Sequence, residues 1–457
     1  LWYKLQREKV LKEIDDVLNT EDSKEREELL MEINDAFDTK INHPDYARKL
    51  FLIENCIYGV DIQPIAIQIS KLRFFISLII DQKVDKTKDN FGITPLPNLE
   101  TKFVCANTLI GLDKPNGVLV SPQVTQLEEK IKTLRHRYFQ AKTRTQKLSL
   151  QKKDKELRDK LAEELAKNGF STSASEKIAD FDPYDQNSSA DWFDPEWMFG
   201  VTDGFDIVIG NPPYIQLQKN SGLLANMYKD KGFETFERTG DIYTLFYEKG
   251  INLLKQNGHL CLITSNKWMR AGYGESLRKF FTKYNPKILI DLGPGIFESA
   301  TVDTNILLIQ KAENQNQLKA VTLQKETNIN IERQLAERGV IINKLTKDAW
   351  FIGSDAEQRL KEKIERIGKP LKDWDVKIYR GVLTGLNEAF IITTEKRDEI
   401  LANCRVDEAS RFAGMTERER TSAIIKPILR GRDIKRYYYE WAGLWVIVIP
   451  AGWTNEN

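Results

Sequence analysis

The chain has 457 residues, 41% of them hydrophobic and 30% charged, with a formal net charge of +1. That length exceeds one ordinary core and predicts two or three domains, and the composition excludes wholesale disorder. A near-neutral molecule is no polycation, so any nucleic-acid contact falls to local basic patches.

The four cysteines, Cys56, Cys105, Cys261 and Cys404, are far apart, and there are only three histidines. This pattern offers neither a disulfide framework nor a zinc or histidine-rich metal site, and it predicts a cytoplasmic protein. No apolar run reaches membrane-spanning length, so no membrane partner is expected. The chain opens Leu1-Trp2-Tyr3 without a Met or a signal peptide, and it closes just after a strand-like run. Both ends read as cut from a longer polypeptide.

In chain order, residues 1–50 are charged and helix-favouring, with Leu11, Ile14, Val17 and Leu18 at helical spacing. Leu52 to Val60 reads as a strand ending at Asp61, Ile65 to Ile80 as a helix packed on a sheet, and Phe103–Ala106 as a short strand. Residues 121–170 are highly charged and carry two apolar helical faces, Leu127, Ile131, Leu134, Tyr138 and then Leu150, Leu157, Leu161, Leu165. They predict an inserted helical hairpin. Its clustered bases, among them Arg135, Arg137, Lys142 and Arg144, fit phosphate tracking and a solvated helix face equally well.

Phe205–Ile209, Leu260–Thr264, Ile288–Leu292 and Ile306–Gln310 read as strands, and Ile242–Leu254 as a helix. Strands alternating with helices predict an α/β domain with a mostly parallel sheet over residues 1–330. Residues 312–345 read as a polar linker or excursion. From 346 to 457, Tyr379–Thr384, Ala389–Thr394 and Leu444–Ile449 predict a second, mixed α+β domain.

The chemistry concentrates at Phe205-Asp206-Ile207-Val208-Ile209-Gly210-Asn211-Pro212-Pro213-Tyr214. An apolar strand delivers a rigid turn to its carboxyl end, where open α/β sheets place ligands. The prolines Pro212 and Pro213 fix the backbone and remove donors. What remains is two acceptors, the Asn211 side-chain oxygen and the Pro212 carbonyl, beside the aromatic face of Tyr214. An exocyclic amino group on a base is a poor nucleophile because its lone pair is delocalised into the ring. Two acceptors gripping its hydrogens pull it toward tetrahedral geometry, and Tyr214 offers a stacking surface.

The motif resembles that of amino-methyltransferases, and the chain resembles the adenine-N6 DNA methyltransferases of type IIG restriction–modification systems. The likeness runs from about Leu52 to Lys311 and resumes from about Leu371. It is carried by Tyr58-Gly59-Val60-Asp61-Ile62-Gln63-Pro64, Pro97-Asn98-Leu99, Trp192-Phe193-Asp194, Gly240-Asp241-Ile242-Tyr243, Thr264-Ser265-Asn266-Lys267-Trp268 and Phe297-Glu298-Ser299-Ala300-Thr301-Val302.

The resemblance implies a Rossmann-like domain that uses S-adenosyl-L-methionine and acts on double-stranded DNA, in a restriction–modification or phage-defence setting. By it, Asp61 holds the cofactor ribose, Ile62 packs on the cofactor adenine, and Asn107 reads that adenine's amine. Phe297 stacks on a target adenine flipped out of the duplex, opposite Tyr214. Asp241, Tyr243, Lys267 and Trp268 lie by the same pocket or serve as ordinary packing. Arg380, Arg430, Arg432, Lys435 and Arg436, interleaved with tyrosines, match the start of a target-recognition region.

Such enzymes carry a glycine-rich loop before the Asp61 strand, yet Gly59 is the lone glycine of residues 1–60. The loop is therefore expected before Leu1, and any endonuclease module outside the chain. Two other readings stay open: a glutamine or RNA amino-methyltransferase sharing the turn, and a non-catalytic DNA-recognition fragment.

Overall fold

The computed structural model describes residues 44–93, 97–114, 121–141, 143–185, 187, 189–293, 303–324, 330–376, 387–405 and 416–449. The chain divides into two compact units, Leu1–Glu362 and Lys363–Asn457.

The first unit opens with helix α1 (Pro44–Asn55), strand β1 (Gly59–Asp61), helix α2 (Pro64–Ile79) and strand β2 (Phe103–Cys105). The expected strand from Leu52 is thus corrected: its first residues finish α1, and only Gly59–Asp61 is extended. Tyr46, Leu50 and Ile53 recur at helical spacing and pack in one cluster with Phe103, so the apolar face of a helix claims the run. Strands β1 and β2 pair in parallel, with Asp61 opposite Cys105.

The charged segment folds as the expected hairpin, α3 (Pro122–Gln140) and α4 (Arg144–Lys167), the second started by a capping box at Thr143 and Gln146. Its centre is Asp154, fully buried, gripped by Arg135 Nε at 2.9 Å and Arg158 Nε at 2.8 Å. Arg135 also donates to the carbonyls of Trp197 and Met198 in helix α6 (Pro195–Phe199), and Arg158 to Ala179 in helix α5 (Thr172–Asp180). Arg135 therefore braces the hairpin from inside and is withdrawn from any phosphate. Asn98 closes the hairpin turn, donating to the carbonyls of Tyr138 at 2.6 Å and Ala141 at 2.8 Å.

The main sheet has six strands in the order β3-β4-β6-β5-β7-β8. They are β3 (Phe205–Gly210), β4 (Leu254–Ser265), β5 (Asn285–Gly293), β6 (Thr304–Gln310), β7 (Leu318–Thr322) and β8 (Val340–Ile342). Pairs β3–β4 and β5–β7 are parallel, whereas β6 runs antiparallel to both β4 and β5, and β8 to β7. The α/β expectation holds, but the sheet is mixed rather than mostly parallel. The link from Gly293 to Thr304 is too short for a crossover of a dozen or more residues, so β6 returns beside β5 in the opposite sense.

The 312–345 stretch is likewise corrected: β7, helix α10 (Ile331–Arg338) and β8 extend the sheet rather than linking domains. Helices α7 (Lys219–Tyr228) and α8 (Tyr243–Asn252) follow β3, and α9 (Glu275–Phe281) follows β4. The largest core packs Tyr247, Trp268, Phe281 and Trp350 against Leu260, Leu289 and Leu307.

Among the described residues β3 pairs only with β4, and β1 only with β2, so each keeps a free edge. The rings of Tyr58, just before β1, and Phe205, at the start of β3, lie 5.9 Å apart and bring the two strands close at that end. One face of β3 is uncovered there, with Ile207 67% and Ile209 76% exposed.

The second unit holds a three-stranded antiparallel sheet, β10-β13-β9, with a small hairpin. Its strands are β9 (Ile391–Thr393), β10 (Ile425–Pro427) and β13 (Leu444–Ile447), and the hairpin pairs β11 (Ile434–Lys435) with β12 (Tyr438–Tyr439). The mixed α+β expectation for this part holds, with Tyr379–Thr384 outside the described residues.

Candidate active site

Asn211, Pro212, Pro213 and Tyr214 leave the carboxyl end of β3 directly, with Pro212 buried and Asn211 exposed. The parallel neighbour β4 sets this position, since Gly210 stands opposite Leu262. The Tyr214 hydroxyl donates to the Asn211 side-chain oxygen at 3.0 Å and approaches the Ile263 carbonyl at 3.3 Å. The acceptor expected to grip an amino group is therefore engaged by the turn's own tyrosine. Burial raises the Tyr214 phenol above its ordinary pKa, so it stays a neutral donor. Its ring stands edge-on to Tyr243, centroids 6.2 Å apart.

The segment after the turn is clamped to the loop before α8. Ile242 N–H donates to the Ile215 carbonyl at 3.0 Å, and Leu217 N–H to the Gly240 carbonyl at 2.9 Å. Asp241, between those two contacts, is 8% exposed. Burial pushes its carboxyl up to about 6, against the pull of the Ile215 and Ile242 N–H groups and of Lys267 and Lys219.

Asp61 and Ile62 lie at the carboxyl end of β1, and Asn107 just beyond the adjacent β2, so the parallel pairing brings all three together. The Asp61 carboxylate is exposed, accepts the Gln63 N–H at 2.8 Å, and faces solvent beside Ile62, itself 57% exposed. The Asn107 side chain accepts from Leu109 N–H and donates to the Tyr228 hydroxyl at 3.3 Å. Leu109 then packs with Leu217, Tyr228, Ile242 and Leu245. One cluster thus joins the β2 end to the segments flanking the Asn-Pro-Pro-Tyr turn.

The remaining sequence-predicted residues divide. Phe297 and Arg380 lie outside the described residues. Trp268 is fully buried and donates to Asn305, so it is core. Lys267 supplies charge near Asp241. Trp192 and Phe193 are core, and Asp194 caps α6.

In the second unit Arg430 forms a two-pronged ion pair with Asp433, at 3.0 and 2.9 Å, which holds that carboxyl down at about 2. Lys435 stands 3.6 Å from Glu440, Arg432 is exposed, and Arg436 lies over the ring of Tyr437, which is 92% exposed at the hairpin tip. Sequence reasoning missed Tyr228 and Tyr273. The hydroxyl of Tyr273 meets that of Tyr243 at 2.9 Å. Its one local signal was the flanking Gly272 and Gly274.

Two curated relatives share 26% identity with the chain. One is the putative type II restriction enzyme and methyltransferase RM.MjaORFECS2P of Methanocaldococcus jannaschii, aligned over 58% of this chain and 26% of its own length. The other is the type II methyltransferase M.BstVI of Geobacillus stearothermophilus, over 44% and 40%. The chain therefore spans well under two thirds of the relatives it matches. Among solved structures, the type IIL restriction-modification enzyme MmeI in complex with DNA aligns over 93% of this chain and 49% of its own, at 11% identity and a TM-score of 0.40. The model of the Eco57I restriction-modification methylase family matches residues 55–297, which include Asp61, Asn107 and the Asn211–Tyr214 turn. By that match, which covers more than half of its length, the chain belongs to the Eco57I restriction-modification methylase family.

Proposed function

We propose that the protein transfers a methyl group from S-adenosyl-L-methionine to adenine N6 in double-stranded DNA, as the modification activity of a restriction–modification or phage-defence system. The observation that carries this reading is the Asn211–Tyr214 turn at the carboxyl end of β3, with acceptors and an aromatic ring side by side and tied to each other.

The residues at the ends of β1 and β2 suit the cofactor. An exposed carboxylate at Asp61 fits a ribose diol, exposed Ile62 fits the face of a purine, and Asn107 offers an amide for its edge. Bound there, S-adenosyl-L-methionine supplies a methyl group on a positively charged sulfur, which leaves as a neutral thioether when the base nitrogen takes the methyl.

The chain's own work is to hold the nitrogen. The Asn211 oxygen and the Pro212 carbonyl accept the amine hydrogens, the Tyr214 ring stacks on the base, and the Tyr214 hydroxyl must release Asn211 as the base arrives. Phe297 is assigned the opposite face of the base. The proton leaves N6 for solvent. Arg432, just before the exposed hairpin of the second unit, and Lys435 and Arg436 on that hairpin contribute phosphate and base contacts, whereas Arg430 serves its ion pair with Asp433.

Unmethylated duplex DNA incubated with the protein and cofactor, then digested to nucleosides for mass spectrometry, tests the reading. N6-methyladenosine as the product supports it. Methylation of another base, or of RNA or protein glutamine but not DNA, refutes it.

A further inference from the structure

The backbone holds Asn107 in place. Its N–H donates to the Ala190 carbonyl at 2.9 Å, and the N–H of Ala106 donates to the Asp61 carbonyl at 2.9 Å. The residue is thereby kept beside Asp61 and Ile62, half-buried. What remains open is which way its side-chain amide faces. An asparagine amide is nearly symmetric in shape, so a half-turn about its last bond exchanges an acceptor for a donor.

Two contacts decide between the orientations. A backbone N–H can only donate, so the Leu109 N–H meets the Asn107 side-chain oxygen, at 3.2 Å. The side-chain nitrogen then donates to the Tyr228 hydroxyl at 3.3 Å, across 121 residues of sequence. Tyr228 closes α7 and is 3% exposed, its ring packed with Leu217, Ile242 and Leu245. Apolar packing needs only the ring, whereas the hydroxyl is engaged by the Asn107 amide.

With these two bonds made, the amide keeps one oxygen lone pair and one N–H in reserve. An acceptor beside a donor complements the adenine edge, which offers an amino hydrogen next to the ring nitrogen N1. Turned over, the same amide matches hypoxanthine, whose edge offers a carbonyl oxygen next to an N–H.

We infer that Tyr228 is a positioning residue that locks the Asn107 amide in the orientation that accepts an adenine amino group, and so sets the base specificity of the cofactor site. This rests on the reading of Asn107 as a cofactor residue in methyl transfer. Leu109 alone holds the amide by one bond, and Tyr228 makes it two. The lock is supplied by the chain that leaves the Asn211–Tyr214 turn, where the Ala225 N–H is held by the Leu217 carbonyl at 3.1 Å.

Binding of two thioethers, S-adenosyl-L-homocysteine and its hypoxanthine counterpart S-inosyl-L-homocysteine, tests this without any methyl transfer. Calorimetry gives the ratio of their Kd values for wild type, Tyr228→Phe, Asn107→Ala and the double variant. Wild type is expected to favour the adenine compound. Tyr228→Phe is expected to cut that preference roughly 2- to 10-fold, the range for one hydrogen bond, and Asn107→Ala to bring it close to one. On the Asn107→Ala background, Tyr228→Phe is expected to leave the ratio unchanged, because the hydroxyl then has no amide to orient. A purely structural role weakens both compounds alike and does not move the ratio. If Tyr228→Phe does not fold, Tyr228→Met, which fills the space without a hydroxyl, takes its place with the same expected fall.

No preference in wild type, a wild-type ratio in Tyr228→Phe, or an equal fall when Tyr228→Phe is made on Asn107→Ala would each overturn the inference. Failure of the cofactor reading shows separately: wild type then binds neither thioether, or Asn107→Ala keeps the wild-type preference. Either result takes the inference with it.

Discussion

Tyr214 has two parts with different jobs, and truncating them separately measures each. Its ring is the proposed stacking surface, and its hydroxyl is bound to the Asn211 oxygen at 3.0 Å and the Ile263 carbonyl at 3.3 Å. Tyr214→Phe keeps the ring and frees Asn211. A typical net hydrogen bond is worth about 0.5–1.5 kcal/mol, so kcat/KM should stay within roughly two- to tenfold of wild type and tend upward, since the substrate amine no longer competes for that oxygen. Tyr214→Ala also removes the stacking face, worth about 1–3 kcal/mol per base, or roughly 5- to 150-fold in kcat/KM.

The assay is steady-state transfer of labelled methyl groups to duplex DNA. A 2-aminopurine placed at the target position reports whether the base still leaves the stack. If Tyr214→Phe proved as inactive as Tyr214→Ala, the hydroxyl and not the ring would be the working group, and the reasoning would fail.

Other consequences follow from the same geometry. Removing the Asp154 carboxylate by Asp154→Ala strands Arg135 and Arg158 in the hairpin core, and should lower stability by about 3–5 kcal/mol in denaturant unfolding. Asp61→Ala should weaken cofactor binding by roughly tenfold or more in calorimetry, the loss of hydrogen bonds to a charged acceptor, with little change in melting temperature. Lys435→Ala and Arg436→Ala should each lower the salt slope of DNA binding by about one, whereas Arg430→Ala should act mainly on folding of the second unit, through Asp433.

Legibility in the sequence followed the physics of each segment. The α/β class and β3 were readable because Phe205–Ile209 is an apolar run closed by a turn of proline residues. The hairpin was readable because its apolar residues recur at 3.6-residue spacing over many turns. The Leu52 run was misread because a short apolar stretch looks alike in a strand and in a buried helix. The 312–345 region was misread because β7 and β8 are short, and their neighbours in the sheet are set by tertiary pairing.

At the site, Asn211 could be singled out from the strand and rigid turn around it, whereas Asp61 and Asn107 were named through the family resemblance. The engagement of Asn211 by Tyr214 could not be foreseen, since it depends on the rotamer of one side chain. Arg430 and Arg135 look alike in sequence to surface bases. Only their partners tell them apart: Asp154 holds Arg135 inside the hairpin core, and Asp433 pairs with Arg430 within one exposed turn.

The most direct test of the account is Asn211-dependent methylation. Wild type and Asn211→Ala, matched for melting temperature and cofactor binding, are incubated with labelled cofactor and unmethylated DNA. The account predicts label on adenine N6 with wild type, and a loss of roughly a hundredfold or more in the variant, in the range for removal of a group acting in the transition state. Equal labelling by the two proteins, or none by wild type holding cofactor, would contradict it.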